Sequence, residues 1–278
     1  MKTKKYIKFI FLSIFPLSIF SCSYTKDKHK DKHIVVIAAS YNNKKWYKDH
    51  INSFAAQDYE NKTMIYIDDK SPDNTGNLVE SYIKEKNLED QIILIKNKTR
   101  IGAMANQYHA IHSCKDDDII VILDGDDFFA KNNILSFINN VYQDPNVWLT
   151  YGQFKHLSSG RRGFCCPMPT HIVKNNNFRK FSHIPSHLRT FYAGLFKKIK
   201  KEDLMFNGEF LQMVCDIAAM FPMIEMAREG HFRFIPQVLL TYNDLNNLND
   251  HKVSKTLQRK LDLLIRSRAK YNPIENPF

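Results

Sequence analysis

VILDGDDFFA, residues 121–130, continues an apolar run, Ile120 to Leu123, straight into Asp124, Asp126 and Asp127 with a single glycine among them. Carboxylates this close repel, and each raises its neighbours' pKa unless a cation or strong donors sit among them. Either the group is splayed into water as a turn, or it holds a metal. The chain upstream bears on that choice. IVVIAAS (34–40), MIYIDD (64–69), IILIKN (92–97) and IIVILD (119–124) are apolar runs of strand length, the pattern of parallel strands buried on both faces. Helical stretches at 44–57, 74–86 and 103–113 separate them. This alternation predicts an α/β fold, a doubly wound, mostly parallel sheet with helices on both faces. Ligands of such sheets collect beyond the carboxyl ends of the strands. Polar clusters stand at each of those ends: Ser40, Tyr41 and Asn42; Asp68 and Asp69; Asn97 with Arg100; and the aspartate run. One cluster would be a turn, whereas several facing one rim mark a site.

Composition narrows the classes. The 278 residues, 44% of them hydrophobic with 20 Phe and 13 Tyr, suffice for one large domain or two intimate halves. A formal charge of +11 favours anionic ligands and membrane surfaces, but the lysines are scattered and no basic run alternates with aromatics, which argues against nucleic acid. The cysteines (Cys22, Cys114, Cys165, Cys166 and Cys215) have neither CxxC nor zinc spacing and make no disulfide framework. No GxGxxG follows the first strand and no GxxxxGK[ST] occurs, so a phosphate must be held by something other than a glycine cradle. A divalent cation on carboxylates, Mg2+ or Mn2+, meets that need.

Taken in order, IAASYNN after the first strand, IDDKSPDNT (67–75), NKTRIGAMANQ (97–107), ILDGDD (122–127) as a D-x-D motif, CDIAAMFP (215–222), SHLRTF (186–191) and LNDHKV (248–253) resemble a family 2 glycosyltransferase of the GT-A fold. The resemblance spans about 34 to 250 and implies a nucleotide-sugar donor, a UDP-sugar, with Mn2+ or Mg2+ as cofactor. The acceptor would be a hydroxyl of a glycan, lipid or protein. By the same resemblance, Ser40, Tyr41 and Asp68 would touch base and ribose, with Asp69 supporting the loop. Arg100 would reach base or phosphate, beside a Gly102 that permits close backbone approach. Asp124 and Asp126 would lie at ribose and metal, with Asp127 an alternative ligand. His251 is the candidate third metal ligand or diphosphate contact, and His187 and Arg189 would hold donor phosphate or acceptor. Asp216 matches the general base, in apolar surroundings that raise its basicity. Cys215 departs from the pattern, which commonly carries Glu there. Plainer roles compete: a helix cap for Asp216, a surface position for the histidines, an ion pair with Glu225 for Arg189.

The resemblance divides the chain into a GT-A domain at 34–253, with a nucleotide-sugar half to 130 and an acceptor half beyond it, and a C-terminal helix and tail at 254–278. In front, MKTKKYIK is basic and FIFLSIFPLSIF is apolar but too short for a comfortable span, an export signal in outline. Ile19 to Cys22 is similar to a bacterial lipobox, though Phe20 is bulkier than that pattern prefers. Residues 1–22 therefore read as a signal peptide, lipoprotein signal or uncleaved anchor, and 23–33 as a tether. Membrane association through this segment is expected on a side left open, because nucleotide sugars are cytosolic while a signal exports. SSGRRGFCCPMP (158–169) reads as a loop over the site or a lid, and NNN (175–177) and NDLNNLND (243–250) as surface turns. Leu257, Leu261, Leu264 and Ile265 give 254–270 a helical apolar stripe. A non-catalytic, membrane-anchored sugar-binding protein of the same fold is the alternative function.

Overall fold

The β-branched runs read from the sequence begin the sheet in the computed structural model, which describes residues 31–278. The expected signal or anchor and nearly all of the tether lie outside the described residues. The first half folds as β1 (Ile34–Ser40), α1 (Tyr47–Ala55), β2 (Lys62–Asp68), α2 (Thr75–Glu85), β3 (Ile92–Lys96), α3 (Ala103–Ser113) and β4 (Ile119–Ile122). Its strands are mutually parallel. In α1 the buried residues Tyr47, His50, Ile51 and Phe54 recur at helical spacing and pack on the sheet. This helix starts later than expected because the carbonyl of Asn43 accepts the N–H groups of both Trp46 and Tyr47, closing a turn first. β4 also stops short of the expected Asp124: the Leu123 amide still reaches Ile37, but the amide of Asp127 already turns back to the carbonyl of Asp124.

The second half supplies β5 (Phe128–Phe129), α4 (Ile134–Val141), β6 (Leu149–His156), α5 (Thr170–Lys174), β7 (Arg189–Tyr192), α6 (Ala193–Lys197), β8 (Met205–Phe206), β9 (Glu209–Phe210), α7 (Cys215–Met226), β10 (Phe232–Tyr242), α8 (Asp250–Val253) and α9 (Lys255–Ser267). One sheet of order β3-β2-β1-β4-β7-β6-β10-β5 runs through both halves, and β8 and β9 form a separate hairpin. Right-handed crossovers explain the layering, since β1 to β3 step one way and the α3 crossover steps back past β1 to β4, placing helices on both faces. β7 runs antiparallel between β4 and β6, with Arg189 opposite Ile122. The beginning of β7 therefore meets the same rim on which β1, β2 and β4 end.

The C-terminal helix is fastened under this rim. Leu261 and Ile265 are buried and Leu257 and Leu264 partly so, as the stripe predicted. Glu225 on α7, fully buried, takes a bidentate pair from Arg179 at 2.6 and 2.8 Å, and its Oε2 also accepts the Tyr271 amide. The competing pair proposed for Arg189 is thus given to Arg179 instead. Among the described residues no helix is long and apolar enough to cross a membrane.

Candidate active site

The loop after β1 begins the site. Ser40 is buried, its Oγ accepting from the Asn43 side-chain Nδ2 at 3.0 Å and from the Tyr66 hydroxyl at 2.8 Å. It sits behind the cavity wall, and Tyr41 and Asn43 face the cavity in its place. Asp68 is likewise set back at the end of β2: Oδ2 accepts the Ser71 amide, while Oδ1 is buried with no partner. Asp69 braces the loop that follows β3. Its carboxylate accepts the amides of Ile101 (3.0 Å) and Gly102 (2.8 Å) and the side chain of Asn97 (2.8 Å). Burial alone would raise its pKa, but these donors outweigh that and hold it below the ordinary value. Gly102 takes φ of 88°, a conformation that disfavours a side chain. The loop so built carries Arg100, whose guanidinium lies 3.8 Å from the centre of the Tyr41 ring.

The aspartate run forms the opposite wall. Gly125 is needed there, because a Cβ would come within 2.6 Å of the Ser40 side chain. Asp124 accepts from Arg189 at 3.1 Å, across the β4–β7 register. Asp126 accepts from the Asn246 side chain at 2.6 Å. Asp127 is 1% exposed; Oδ1 accepts the Asn243 amide at 2.8 Å and Oδ2 has no partner. Its carbonyl accepts from Nδ1 of the buried His50, which burial keeps neutral with its pKa pushed down to about 4. Burial and the neighbouring carboxylates raise Asp127 well above the ordinary carboxylate range. Asp126 rises to about 6 from burial, opposed by the Asn246 bond and assisted by Asp124.

Ligand atoms of Asp124, Asp127 and His187 lie within 4.8 Å of one another. Burial, reinforced by Arg189, pushes the His187 pKa down to about 3, so its ring is neutral, with the Arg189 guanidinium 3.4 Å from Nδ1. Two carboxylates, one imidazole and the unpartnered Oδ2 of Asp127 suit a divalent ion such as Mn2+ or Mg2+. This grouping differs from the expected set of Asp126, Asp127 and His251. Asp124 and His187 join Asp127 here, and Asp126 is engaged by Asn246. His251 belongs to α8, and its side chain lies outside the described residues.

Asp216 stands in the first turn of α7, with part of its surface open to the cavity. Burial raises its pKa, with Arg189 acting against that and Asp124 with it. The residue before the helix, Val214, adopts φ of 57°, a strained conformation for a β-branched side chain. Its amide donates to Asp250 Oδ2 at 3.2 Å, which ties α8 to the start of α7. Asp250 itself rises to about 6 through burial and, after the Val214 bond that opposes it, through Asp216 and Asp124.

Tyr41, Arg100, Asp124, Asp126, Asp127, His187, Arg189 and Asp216 all face a single cavity of about 310 Å3. Ser40, Asp68 and Asp69 support it from behind. Sequence reasoning missed Asn246 and Asp250, because NDLNNLND reads as a surface turn. The structure instead buries Asn243 fully and directs Asn246 and Asp250 inward. Nothing in the local composition signals this, since the contacts are to residues more than thirty positions away. The segment 158–169 does not line the cavity, and the side chains of Gln153 and Tyr151 hold the carbonyls of Cys165 and Cys166 against β6.

The sequence model of glycosyl transferase family 2 matches residues 35–214, more than half of the chain. Glycosyltransferase GlyG of Streptococcus pneumoniae is 24% identical over 131 residues, 47% of this chain and 42% of its own length. The chain thus spans less than half of that relative. The S. aureus TarS fragment 1–349 solved with UDP superimposes with a TM-score of 0.57 at 18% identity, over 76% of this chain and 60% of that one. Mannosyltransferase PcManGT from Pyrobaculum calidifontis, solved with GDP-Man and Mn2+, gives 0.54 at 19% identity, over 85% and 63%.

Proposed function

Because the chain belongs to glycosyl transferase family 2, we propose that it is an inverting glycosyltransferase that moves a sugar from a UDP-sugar to a hydroxyl of a glycan, lipid or protein. The observation carrying this reading is the single cavity that unites the Tyr41 and Arg100 pair, the Asp124, Asp127 and His187 group, and Asp216. In the transfer, the acceptor oxygen bonds to the anomeric carbon as the bond from that carbon to the diphosphate oxygen breaks. The hydroxyl proton passes to Asp216, and the diphosphate leaves with the bonding electrons. The raised pKa of Asp216 strengthens it as a base for this proton. Tyr41 and Arg100 offer a flat, cationic surface for the nucleobase, and Arg189 is near enough to the aspartates to offset charge on the leaving group. A divalent ion held by Asp124, Asp127 and His187 would neutralise diphosphate charge. The TarS fragment with UDP and PcManGT with GDP-Man and Mn2+ support the donor class.

The test is release of nucleoside diphosphate from UDP-glucose, UDP-GlcNAc and GDP-mannose, with Mn2+ and with a chelator. Metal-dependent UDP release that disappears in Asp216→Asn supports the reading. Absence of both release and UDP binding refutes it. The N-terminal segment is proposed to tether this domain to a membrane, which detergent-dependent extraction of the full chain would test.

A further inference from the structure

A second cavity of about 530 Å3 adjoins the first and shares Arg100 and Gln212 with it. Its walls come from the start of α3, through Gly102, Ala105 and His109, and from the β8–β9 hairpin, through Met205, Glu209 and Phe210. From Asp216 the chain runs back through Cys215 and Val214, which line the first cavity, to Gln212 at the junction. The two cavities thus meet at Gln212, from which Val214, Cys215 and Asp216 continue along the wall of the first.

The chemistry of this wall is selective. Ile101, 43% exposed, Met205 and Phe210 form an apolar side. The Phe210 ring is held by Tyr108 at 5.1 Å and edge-on by His109 at 6.0 Å, so its orientation is set before anything binds. Glu209, Gln212 and His109 bring hydrogen-bonding groups to the same space. A pyranose ring has that double character, with an apolar C–H face and a rim of hydroxyls. The cavity carries both signs of charge, Arg100 and Glu209, and the Lys201 ammonium lies 5.5 Å from the centre of the Phe210 ring.

We propose that this cavity is the acceptor subsite and that it takes a sugar ring of a glycan, stacked on Phe210 and hydrogen-bonded by Glu209, with one hydroxyl directed along Gln212 toward Asp216. The assignment rests on the glycosyltransferase reading and narrows its acceptor to a glycan. It is tested on the full chain by saturation-transfer NMR with cellobiose, maltose and N,N′-diacetylchitobiose as probes, in the presence of UDP and diamagnetic Mg2+, alongside a separate UDP titration. Saturation should reach ring C–H protons of at least one probe. Phe210→Ala should weaken that binding about five- to tenfold, and Glu209→Ala should weaken it in the same direction, with UDP affinity unchanged in both. If wild-type protein binds UDP but none of the probes, or binds one equally well in both variants, the subsite is refuted. If wild-type protein fails to bind UDP, the functional reading falls instead. Should Phe210→Ala lose UDP binding through misfolding, the exposed Glu209→Ala decides alone.

Discussion

Removing the charge of Asp126 is expected to stabilise the metal-free protein at neutral pH. The carboxyl has its pKa raised from 3.8 to about 6 in the fold, first by burial and also by Asp124, against the Asn246 hydrogen bond. A folded-state value above the unfolded one means that the native state holds this proton more tightly. Native stability therefore falls as pH rises from about 4 to about 6, and the cost is fully present above that. At about 1.4 kcal/mol per pKa unit, it amounts to about 3 kcal/mol at pH 7 and under about 1 kcal/mol at pH 4. Asp126→Asn keeps an amide oxygen for the Asn246 donor at nearly the same size, so the bond survives and the ionisation cost does not. Urea unfolding in a chelator should find the variant within about 1 kcal/mol of wild type at pH 4 and about 3 kcal/mol more stable at pH 7.5, roughly 6–12 °C in Tm. A variant less stable than wild type at pH 7.5, or a difference that does not change with pH, would refute the account of the aspartate run as a repulsive group awaiting a cation.

Asp216→Asn should lower turnover about 10²- to 10⁴-fold while UDP affinity measured by calorimetry stays within about twofold. Because burial raises the Asp216 pKa, the wild-type rate should climb with pH through an acid limb whose midpoint lies above 3.8, and that limb should vanish in the variant. Asp250→Ala removes the acceptor for the Val214 amide and should cost about tenfold in kcat with little change in the KM for donor; Asp250→Asn, which keeps an oxygen there, should restore most of it. Glu225→Ala strands the buried Arg179 guanidinium and should destabilise the fold by about 3–5 kcal/mol in urea, whereas changing both residues to Met should cost less.

The parallel half was legible because each of its strands is a continuous apolar run ended by polar residues, and that pattern survives in the linear order. β1 and β2 end where their polar clusters begin, and α3 occupies the range its pattern predicted. Asp124, Asp126 and Asp127 could be picked out for a related reason: charge beside a buried run is costly without a partner, so it stands out even before the partner is known, whereas Asp216 was singled out by the resemblance. The boundaries of α1 and β4 were less legible, since two backbone bonds at Asn43 and one at Asp127 decided them.

By itself, then, the sequence determined the α/β alternation, the rim on which the chemistry would collect, and the residues carrying the aspartate charge. Only the tertiary structure decided how those residues are combined. β7 enters antiparallel beside β4, which sets Arg189 against Asp124 and places His187 with Asp124 and Asp127. The segment after β10, polar enough to pass for a surface turn, folds inward to hold Asp126, Asp127 and Val214. The physical reason is one of range. Hydrophobic periodicity is local and can be read along the chain, whereas the partner of a buried charge is chosen by where distant strands and loops come to rest.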